Sequence, residues 1–370
     1  MCFYLICLAG FSYGLGADKF VYMEEFLSYP DTMTEYVNYT IYNLILKSQM
    51  PLWTLVNMIA KTTFDSFYLV QIAESIFINI SVCYLVTKYT HRYFLFLLIY
   101  FFSLQYFILN TEIMREGFSL ALVMIGMHEW IRGKKWPLFV NIFIGTFFHV
   151  SALTGLLFPL AKFKPSWKIL VIATFVSVFI WITSDFLLNR IIGMSFANND
   201  AFSTKVMYYS IQASSFFGYA RSLLTYLIFP FIVAYSVMLR EKDEEKKNAY
   251  GQIAAYIIIL GIIASSFAGF YRFYNYVLVF YLIIFSEFTY SLFDYTEHLI
   301  IRIGTFMGKC LLTIIFLYHA HYTSTNTYFY DFFYPYTCIL NEDKSVYFRE
   351  VAHSEGVTMD FNDNNLRNFK

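Results

Sequence analysis

The sequence has little charge. Of its 370 residues only 14% are Asp, Glu, Lys or Arg, whereas 58% are hydrophobic and 22% are aromatic, with 43 Phe and 33 Tyr. The mean hydropathy is +0.53. A soluble domain carries about 25% charged residues, so this composition excludes an ordinary soluble protein. Much of the remaining charge lies in residues 240–247 and in the tail after Asn341, which leaves the rest of the chain suited to a bilayer.

Signals for several other partners are also missing. Acidic and basic residues are equal in number, 26 of each, and there is neither a Gly-rich phosphate loop nor a basic stripe interleaved with aromatics. Nucleic acid is therefore not an expected partner. The five cysteines form no CxxC pair, and His319 and His321 have no carboxylate or cysteine at ligand spacing. We expect no disulfide frame, no metal site and no cofactor.

Long apolar runs are what the chain does have. Crossing a hydrocarbon layer of about 30 Å takes roughly 20 apolar helical residues with every amide paired internally. The sequence therefore predicts an all-α polytopic membrane protein with about ten transmembrane helices. The first run has no preceding basic residue, so it is expected to be a span rather than a removable signal peptide. The predicted spans are residues 1–16, 66–88, 93–110, 113–131, 136–161, 167–192, 221–239, 249–268, 270–290 and 300–320.

One of these segments, residues 136–161, does not fit a simple crossing. It carries His149 and Ser151 at its centre. If it crossed once, the basic loops that follow it would lie on the sides opposite to the preference of Lys and Arg for the cytoplasm. A broken, re-entrant pair of short helices with its tip near His149 makes all the basic loops cytoplasmic, and we predict this arrangement. Those loops are residues 88–92, 132–135, 162–168 and 240–247.

The predicted domain organisation follows from these spans. Residues 1–322 form a single transmembrane helical domain with two partly helical outer-face loops, 18–65 and 193–220. Residues 323–370 form a polar tail that we expect to be extracytoplasmic.

Arginines collect on the predicted outer face, against the usual charge bias. An arginine in a membrane segment costs about 2.5–3.5 kcal/mol at the bilayer centre and therefore marks a candidate functional site. Arg115 shares a helix face with Ser119, and Arg272 shares one with Asn275 and Tyr276. Guanidinium groups suit phosphate, and the polar aromatic loops suit sugar rings. For Arg190 and Arg221 a second interpretation stays open, because arginines near helix ends also serve as interfacial anchors.

These residues resemble a known family in their order along the chain. The motifs are GLGADKFVYMEEF from Gly14, PLW at 51–53, MREGFSLAL at 114–122, FFHVSAL at 147–153 and YRFYNYVLVFY at 271–281. Together they resemble the EpsG-like family of Wzy-type polysaccharide polymerases over about residues 1–340. The resemblance implies a multi-pass protein of the bacterial plasma membrane. Its activity would be that of a glycosyltransferase joining lipid-linked oligosaccharide repeats outside the cytoplasm.

The resemblance also implies site residues, which we take as expectations. The matching motif positions are Asp18, Tyr22, Arg115, His149, Ser151 and Arg272. Arg115 and Arg272 would hold the donor pyrophosphate. Asp18, Glu116 or His149 would take the proton from the acceptor hydroxyl, and the sequence does not choose among them. The predicted substrate-binding set is Tyr22, Arg115, Ser151, Arg190, Arg221, Arg272 and Asn275.

The expected partner is a polyprenyl-pyrophosphate-linked oligosaccharide in the lipid bilayer, together with the flippase and chain-length regulator of the same pathway. Three other functions remain open at this point: a flippase for the same lipid, a ligase that moves the finished glycan, and a membrane O-acyltransferase. A transporter often has two matching halves. The sequence shows no convincing internal repeat, which favours an enzyme.

Overall fold

The computed structural model describes residues 1–46, 50–103, 105–193, 215–267, 269–291 and 336–340, with isolated positions between 307 and 318. Within these ranges the chain is helical, apart from its turns and a single bridge between Ser12 and Cys338. The predicted all-α class is therefore confirmed. The helices are α1 (Cys2–Gly10), α2 (Ala17–Ser28), α3 (Met33–Leu46), α4 (Pro51–Phe64), α5 (Phe67–Tyr89), α6 (Tyr93–Phe102), α7 (Gln105–Glu112), α8 (Met114–Ile131), α9 (Trp136–Thr146), α10 (Val150–Leu160), α11 (Trp167–Gly193), α12 (Phe216–Arg240), α13 (Glu244–Ser266) and α14 (Phe270–Tyr290).

Five of the described helices are long and apolar enough to cross a bilayer: α5, α11 through Ser184, α12, α13 and α14. A sixth crossing is obtained if α6 and α7 are taken together, although they are bent by 82°. The prediction of about ten spans is not confirmed. The segment predicted at 300–320 lies mostly outside the described residues, as does nearly all of the tail.

Two predicted spans have a different form in the structure, and a third is not among the five apolar spans. The first run is not a 16-residue helix, because α1 ends at Gly10 and the chain turns through Gly16, which has a φ of +87°. The run at 93–110 is split into α6 and the strongly bent α7, which ends in a π-helical turn. Helix α8 is present as predicted, but its three charged residues exclude it from the five apolar spans. Those residues are Arg115, Glu116 and Glu129.

The predicted break near His149 is present. Helix α9 and the 3₁₀ helix α10 have 11 residues each, about half of what a crossing needs, and a turn at 147–149 joins them. They pack antiparallel, since a Cβ on Gly145 would lie 3.1 Å from Ala152 and one on Gly155 would lie 2.9 Å from Ile142. The two helices therefore form a hairpin whose tip is at His149.

The basic loops gather at one end of the bundle. At the base of the hairpin, Lys162 lies 5.1 Å from the ring of Trp130. At the same end His128 contacts the phenol of Tyr89 at 3.0 Å, and the Tyr250 hydroxyl donates to the Tyr89 carbonyl at 2.8 Å. The ends of α5, α8 and α10 thus meet the start of α13 there. The end of α14 lies at the same place, since the Arg92 guanidinium is 3.3 Å from the centre of the Tyr290 ring. This clustering agrees with the common side predicted for the four basic loops.

The loop predicted to be partly helical at 18–65 consists largely of α2, α3 and α4, which confirms its helical character. Apolar side chains of α2 and α4 pack against the starts of α5 and α8 and against Phe148 at the hairpin tip. The loop therefore covers the end of the bundle opposite the basic loops.

The hairpin predicts a labelling pattern in a cysteine-free background. Cysteines introduced at the exposed residues Lys135 and Lys164 flank the base of the hairpin, whereas one at Thr34 lies on the exposed face of α3. An impermeant maleimide added to intact cells should label Thr34→Cys alone, and the other two only after permeabilisation. Outside labelling of Lys164→Cys but not Lys135→Cys would mean that 136–161 crosses once.

The close packing of the hairpin on α8 predicts a cost for a methyl group at Gly155. Its Cβ would lie 2.9 Å from side-chain carbons of both Val123 and Ile142. Gly155→Ala should therefore lower stability by about 1–3 kcal/mol, the usual cost of overpacking. Thermal unfolding in detergent followed by tryptophan fluorescence measures this loss. Gly308→Ala is the matched control, since its Cβ would meet no atom of the described residues within 4 Å. Equal melting temperatures for the two variants would contradict the packing.

Candidate active site

The turn between α1 and α2 is held by buried polar groups. Lys19 is completely buried, and its ammonium donates to the Ser12 carbonyl at 2.9 Å and to the Ser12 hydroxyl at 3.2 Å. The Gln71 amide of α5 donates to the same carbonyl at 2.8 Å. Buried cations and amides need such partners. The turn is thereby tied to α5, and it determines where α2 begins.

The start of α2 is fixed against α7. The backbone amide of Asp18 donates to the Glu112 carboxylate at 3.2 Å, and such an acceptor stabilises the unpaired amides of a helix start. Gly16 precedes it at positive φ, and a Cβ there would lie 2.7 Å from the Thr111 hydroxyl. Only glycine fits both the backbone angle and the close approach. The Asp18 side chain itself is exposed.

Arg115 points towards α2 and α4. Its guanidinium lies 5.2 Å from the centre of the Tyr22 ring and interacts with the Tyr22 hydroxyl, with Glu25 and Tyr29 nearby. Burial raises the pKa of the Tyr22 phenol, so this group stays neutral beside the arginine. Trp53 packs edge-on against Tyr22 at 5.4 Å and donates from its indole to the Tyr29 hydroxyl at 2.9 Å. We call Tyr22, Glu25, Tyr29, Trp53 and Arg115 the cap cluster.

The start of α4 supports the hairpin tip. The backbone amide of Leu52 donates to the Phe147 carbonyl at 3.0 Å. This carbonyl lies in the turn between α9 and α10, outside both helices. Beside it the Phe148 ring stacks on Phe118 of α8 with centroids 4.8 Å apart. The loop helices and α8 therefore hold the tip from two sides.

A chain of hydroxyl groups links α8, the hairpin tip and α14. The Tyr276 oxygen lies 3.0 Å from the Ser119 hydroxyl and 2.8 Å from the Ser151 hydroxyl. The Ser151 hydroxyl in turn makes a short hydrogen bond to Nδ1 of His149, and the Ser151 amide donates to the same nitrogen at 3.3 Å. Because Nδ1 accepts from an amide, the network assigns the proton of the neutral ring to Nε2.

Glu116 lies beside this chain. Its carboxylate is 4% exposed, interacts with Ser151 and Asn275, and lies close to the positive charge of Arg272. Its Oε1 has no hydrogen-bond partner among the described residues. Arg272 itself is exposed on the first turn of α14. We call Glu116, Ser119, His149, Ser151, Arg272, Asn275 and Tyr276 the central cluster.

Chemically, the central cluster combines three functions in one place. A buried carboxylate with an unused oxygen can accept a proton. An exposed guanidinium and an imidazole N–H can bind an oxyanion. The hydrogen-bonded hydroxyl chain fixes the orientation of these groups before any substrate arrives.

The structure separates the predicted site residues into two groups. Glu116, His149, Ser151, Arg272 and Asn275 are together in the central cluster. The remaining predicted residues lie elsewhere: Tyr22 and Arg115 are in the cap cluster with Asp18 near them, Arg221 is exposed on α12, and the side chain of Arg190 is outside the described part of the structure.

Two expectations about helix faces concern these residues. Arg272, Asn275 and Tyr276 do share a face, as predicted. Ser119 was predicted to share a face with Arg115, and its hydroxyl bonds to Tyr276 of the central cluster. Consecutive residues on a helix point about 100° apart, so Arg115 and Glu116 serve different neighbours. The sequence shows the spacing of these residues, but only the packing decides which partner each one meets.

Some members of the two clusters were missed as site residues. Tyr276 and Ser119 were considered only as neighbours of the arginines, and Trp53 only as part of a motif. The buried Lys19 lies in the motif GLGADKFVYMEEF but is not among the predicted site residues, although a lysine next to an apolar run is a usable signal. Within the described ranges no three His, Cys, Asp or Glu side chains are grouped in a way that could hold a metal ion.

Comparison with known proteins gives one match. Residues 1–338 match the EpsG family, which covers most of the chain. No curated protein and no solved structure matches. All of the residues in both clusters fall within the matched range. With its apolar helices, this chain is a membrane protein that belongs to the EpsG family.

Proposed function

We propose that this protein is a polysaccharide polymerase, a membrane glycosyltransferase of the bacterial plasma membrane. It joins polyprenyl-pyrophosphate-linked oligosaccharide repeats into O-antigen, capsule or exopolysaccharide at the outer face. Membership of the EpsG family supports a role in exopolysaccharide synthesis. The observation that carries the proposal is the central cluster, in which a buried carboxylate, an exposed arginine and an imidazole meet at the end of the bundle opposite the basic loops.

Glu116 is the proposed general base. The acceptor hydroxyl oxygen attacks the anomeric carbon of the donor sugar, and its proton passes to Glu116. The bond between that carbon and the pyrophosphate oxygen breaks, and its electron pair leaves with the pyrophosphate. Among the three predicted bases, Glu116 is favoured because its Oε1 has no partner among the described residues, whereas Nδ1 of His149 already accepts hydrogen bonds from Ser151. Asp18 lies near Tyr22 rather than in the central cluster.

Arg272 is the proposed first contact of the leaving pyrophosphate. It is exposed, always charged and able to donate two parallel hydrogen bonds, which stabilise charge as it develops. His149 can add a hydrogen bond from Nε2. Arg115 is half-buried against Tyr22 with Glu25 nearby, so its charge is partly compensated. Its proposed role is to hold α2 and the cap cluster in place beside the central cluster and to add a second positive charge.

The same site accounts for the proposed partners. A lipid-linked donor enters from the bilayer with its headgroup at the cap end, and a second lipid-linked repeat supplies the acceptor. The flippase and chain-length regulator of the same pathway are the proposed protein partners. A flippase also needs arginines, but it has no use for a base next to the phosphate contact, and this favours the enzyme.

The roles of Glu116 and Arg272 predict two variants with little activity. Glu116→Gln keeps the shape of the side chain and removes the base, which should lower the polymerisation rate by about 10²–10⁴-fold. Arg272→Gln removes one charged donor and should lower it by about 10²–10³-fold. The measurement is a gel of surface polysaccharide from a deletion strain restored with each gene. Both variants should give a single repeat where the wild type gives a ladder.

Arg240→Gln is the matched control, since Arg240 is an exposed arginine at the basic end of the bundle. It should restore the full ladder at the same protein level. A full ladder from Glu116→Gln or Arg272→Gln would contradict the assigned roles. Loss of all repeat material in the deletion strain would indicate a flippase or ligase, and a normal ladder with altered acylation would indicate an acyltransferase.

A further inference from the structure

Tyr271 directly precedes Arg272 in the chain and belongs to a group of three tyrosines that the proposed chemistry does not use. Tyr271 and Tyr274 are on the same 3₁₀ turn of α14 as Arg272, and Tyr226 reaches them from α12. The Tyr226 and Tyr271 rings are nearly parallel, at 20°, with centroids 6.4 Å apart. The ring centroid of Tyr274 lies 5.5 Å from that of Tyr226, so the three rings form one group. The result is an aromatic group whose exposed member, Tyr271, is the chain neighbour of the proposed phosphate contact.

The backbone that carries Tyr226 is unusual and tightly held. Residues 224–228 form a π-helical turn within α12, and such turns often occur at functional sites. Helix α13 packs against this turn at Gly261, where a Cβ would lie 2.6 Å from the Tyr226 carbonyl and 3.0 Å from Cα of Leu227. Only a glycine allows this approach. The position of the Tyr226 ring is therefore fixed by packing and does not depend on a flexible loop.

The surface has both apolar and polar character. Tyr271 is 46% exposed, so its ring is accessible, while Tyr274 is buried. The Tyr274 hydroxyl has no hydrogen-bond partner among the described residues. Arg221, one turn before Tyr226 on the same helix, adds positive charge near the Tyr226 phenol. Accessible aromatic rings with hydroxyl and cationic groups around them match the alternating apolar faces and hydroxyl edges of a sugar.

We propose that Tyr226 and Tyr271 form a sugar-binding subsite for the sugar that is bonded directly to the donor pyrophosphate. The inference rests on the proposed function, because Arg272 is taken to bind the pyrophosphate. In such a donor the first sugar is bonded directly to the phosphate. If Arg272 binds the pyrophosphate, the sugar ring must therefore lie close to Arg272 and to its chain neighbour Tyr271. Stacking on Tyr271 orients that ring, and with it the anomeric carbon, towards Glu116.

Binding by purified protein in nanodiscs tests the subsite. The probes are farnesyl pyrophosphate and its three conjugates that carry one N-acetylglucosamine, glucose or galactose on the terminal phosphate. The wild type should bind at least one conjugate about 2- to 10-fold more tightly than farnesyl pyrophosphate, the range expected for one aromatic contact. Tyr271→Ala and Tyr226→Ala should reduce that ratio to about 1 and leave the affinity for farnesyl pyrophosphate unchanged. Tyr271→Phe, which keeps the ring, should keep the ratio.

Two further variants separate the subsite from the proposed function. Phe94→Ala removes an aromatic ring that is 88% exposed at the other end of the bundle, and it should change nothing. Arg272→Gln should weaken all four probes. If Arg272→Gln weakens them but the wild type does not prefer any conjugate, or if both tyrosine variants keep the preference, the subsite is wrong and the proposed function stands. If no probe binds in a manner that depends on Arg272, the proposed donor site fails as well.

Discussion

Backbone groups cannot be left unpaired inside a bilayer, and the break at residues 147–149 is subject to this constraint. The structure meets it with hydrogen bonds from α4, from α8 and within the hairpin. The Phe147 carbonyl accepts from the Leu52 amide, the His149 carbonyl accepts from the Ser119 hydroxyl at 3.5 Å, and the His149 side chain accepts from the Ser151 amide. Helices α4 and α8 thus support the break, and the central cluster forms around it.

The positions of α2 and α4 allow α4 to support the hairpin tip. Helix α4 can reach the hairpin tip because Trp53 is buried against Tyr22 and bonded to Tyr29. Helix α2 is positioned in turn by the bond from the Asp18 amide to Glu112 and by the buried Lys19. The short N-terminal motifs of the sequence thus act mainly by positioning α2 and α4. These two helices carry most of the cap cluster, and α4 supports the hairpin tip.

Hydropathy and charge asymmetry predicted the parts of the fold that depend on solvent alone. The long apolar runs became α5 and α11 to α14, and the basic loops and central polar residues of 136–161 correctly predicted the hairpin. Hydropathy could not predict where an apolar run stops being one helix. The turn after Gly10 depends on Lys19 and Gln71, and the bend between α6 and α7 depends on packing.

The same division applies to the site. Of the predicted site residues, the structure brings Glu116, His149, Ser151, Arg272 and Asn275 together. Helix periodicity places Arg115 and Glu116 about 100° apart, but the sequence does not show that Arg115 meets α2 while Glu116 meets the hairpin and α14, because that depends on how the helices pack.

The central claim is that the protein forms a glycosidic bond between two lipid-linked repeats. Purified protein in liposomes should be supplied with a single lipid-linked repeat and no other protein, and the products followed by mass spectrometry. The account predicts a doubled repeat on one lipid and an equal amount of released polyprenyl pyrophosphate. Movement of the intact repeat across the bilayer, with no doubled product and no released pyrophosphate, would contradict it.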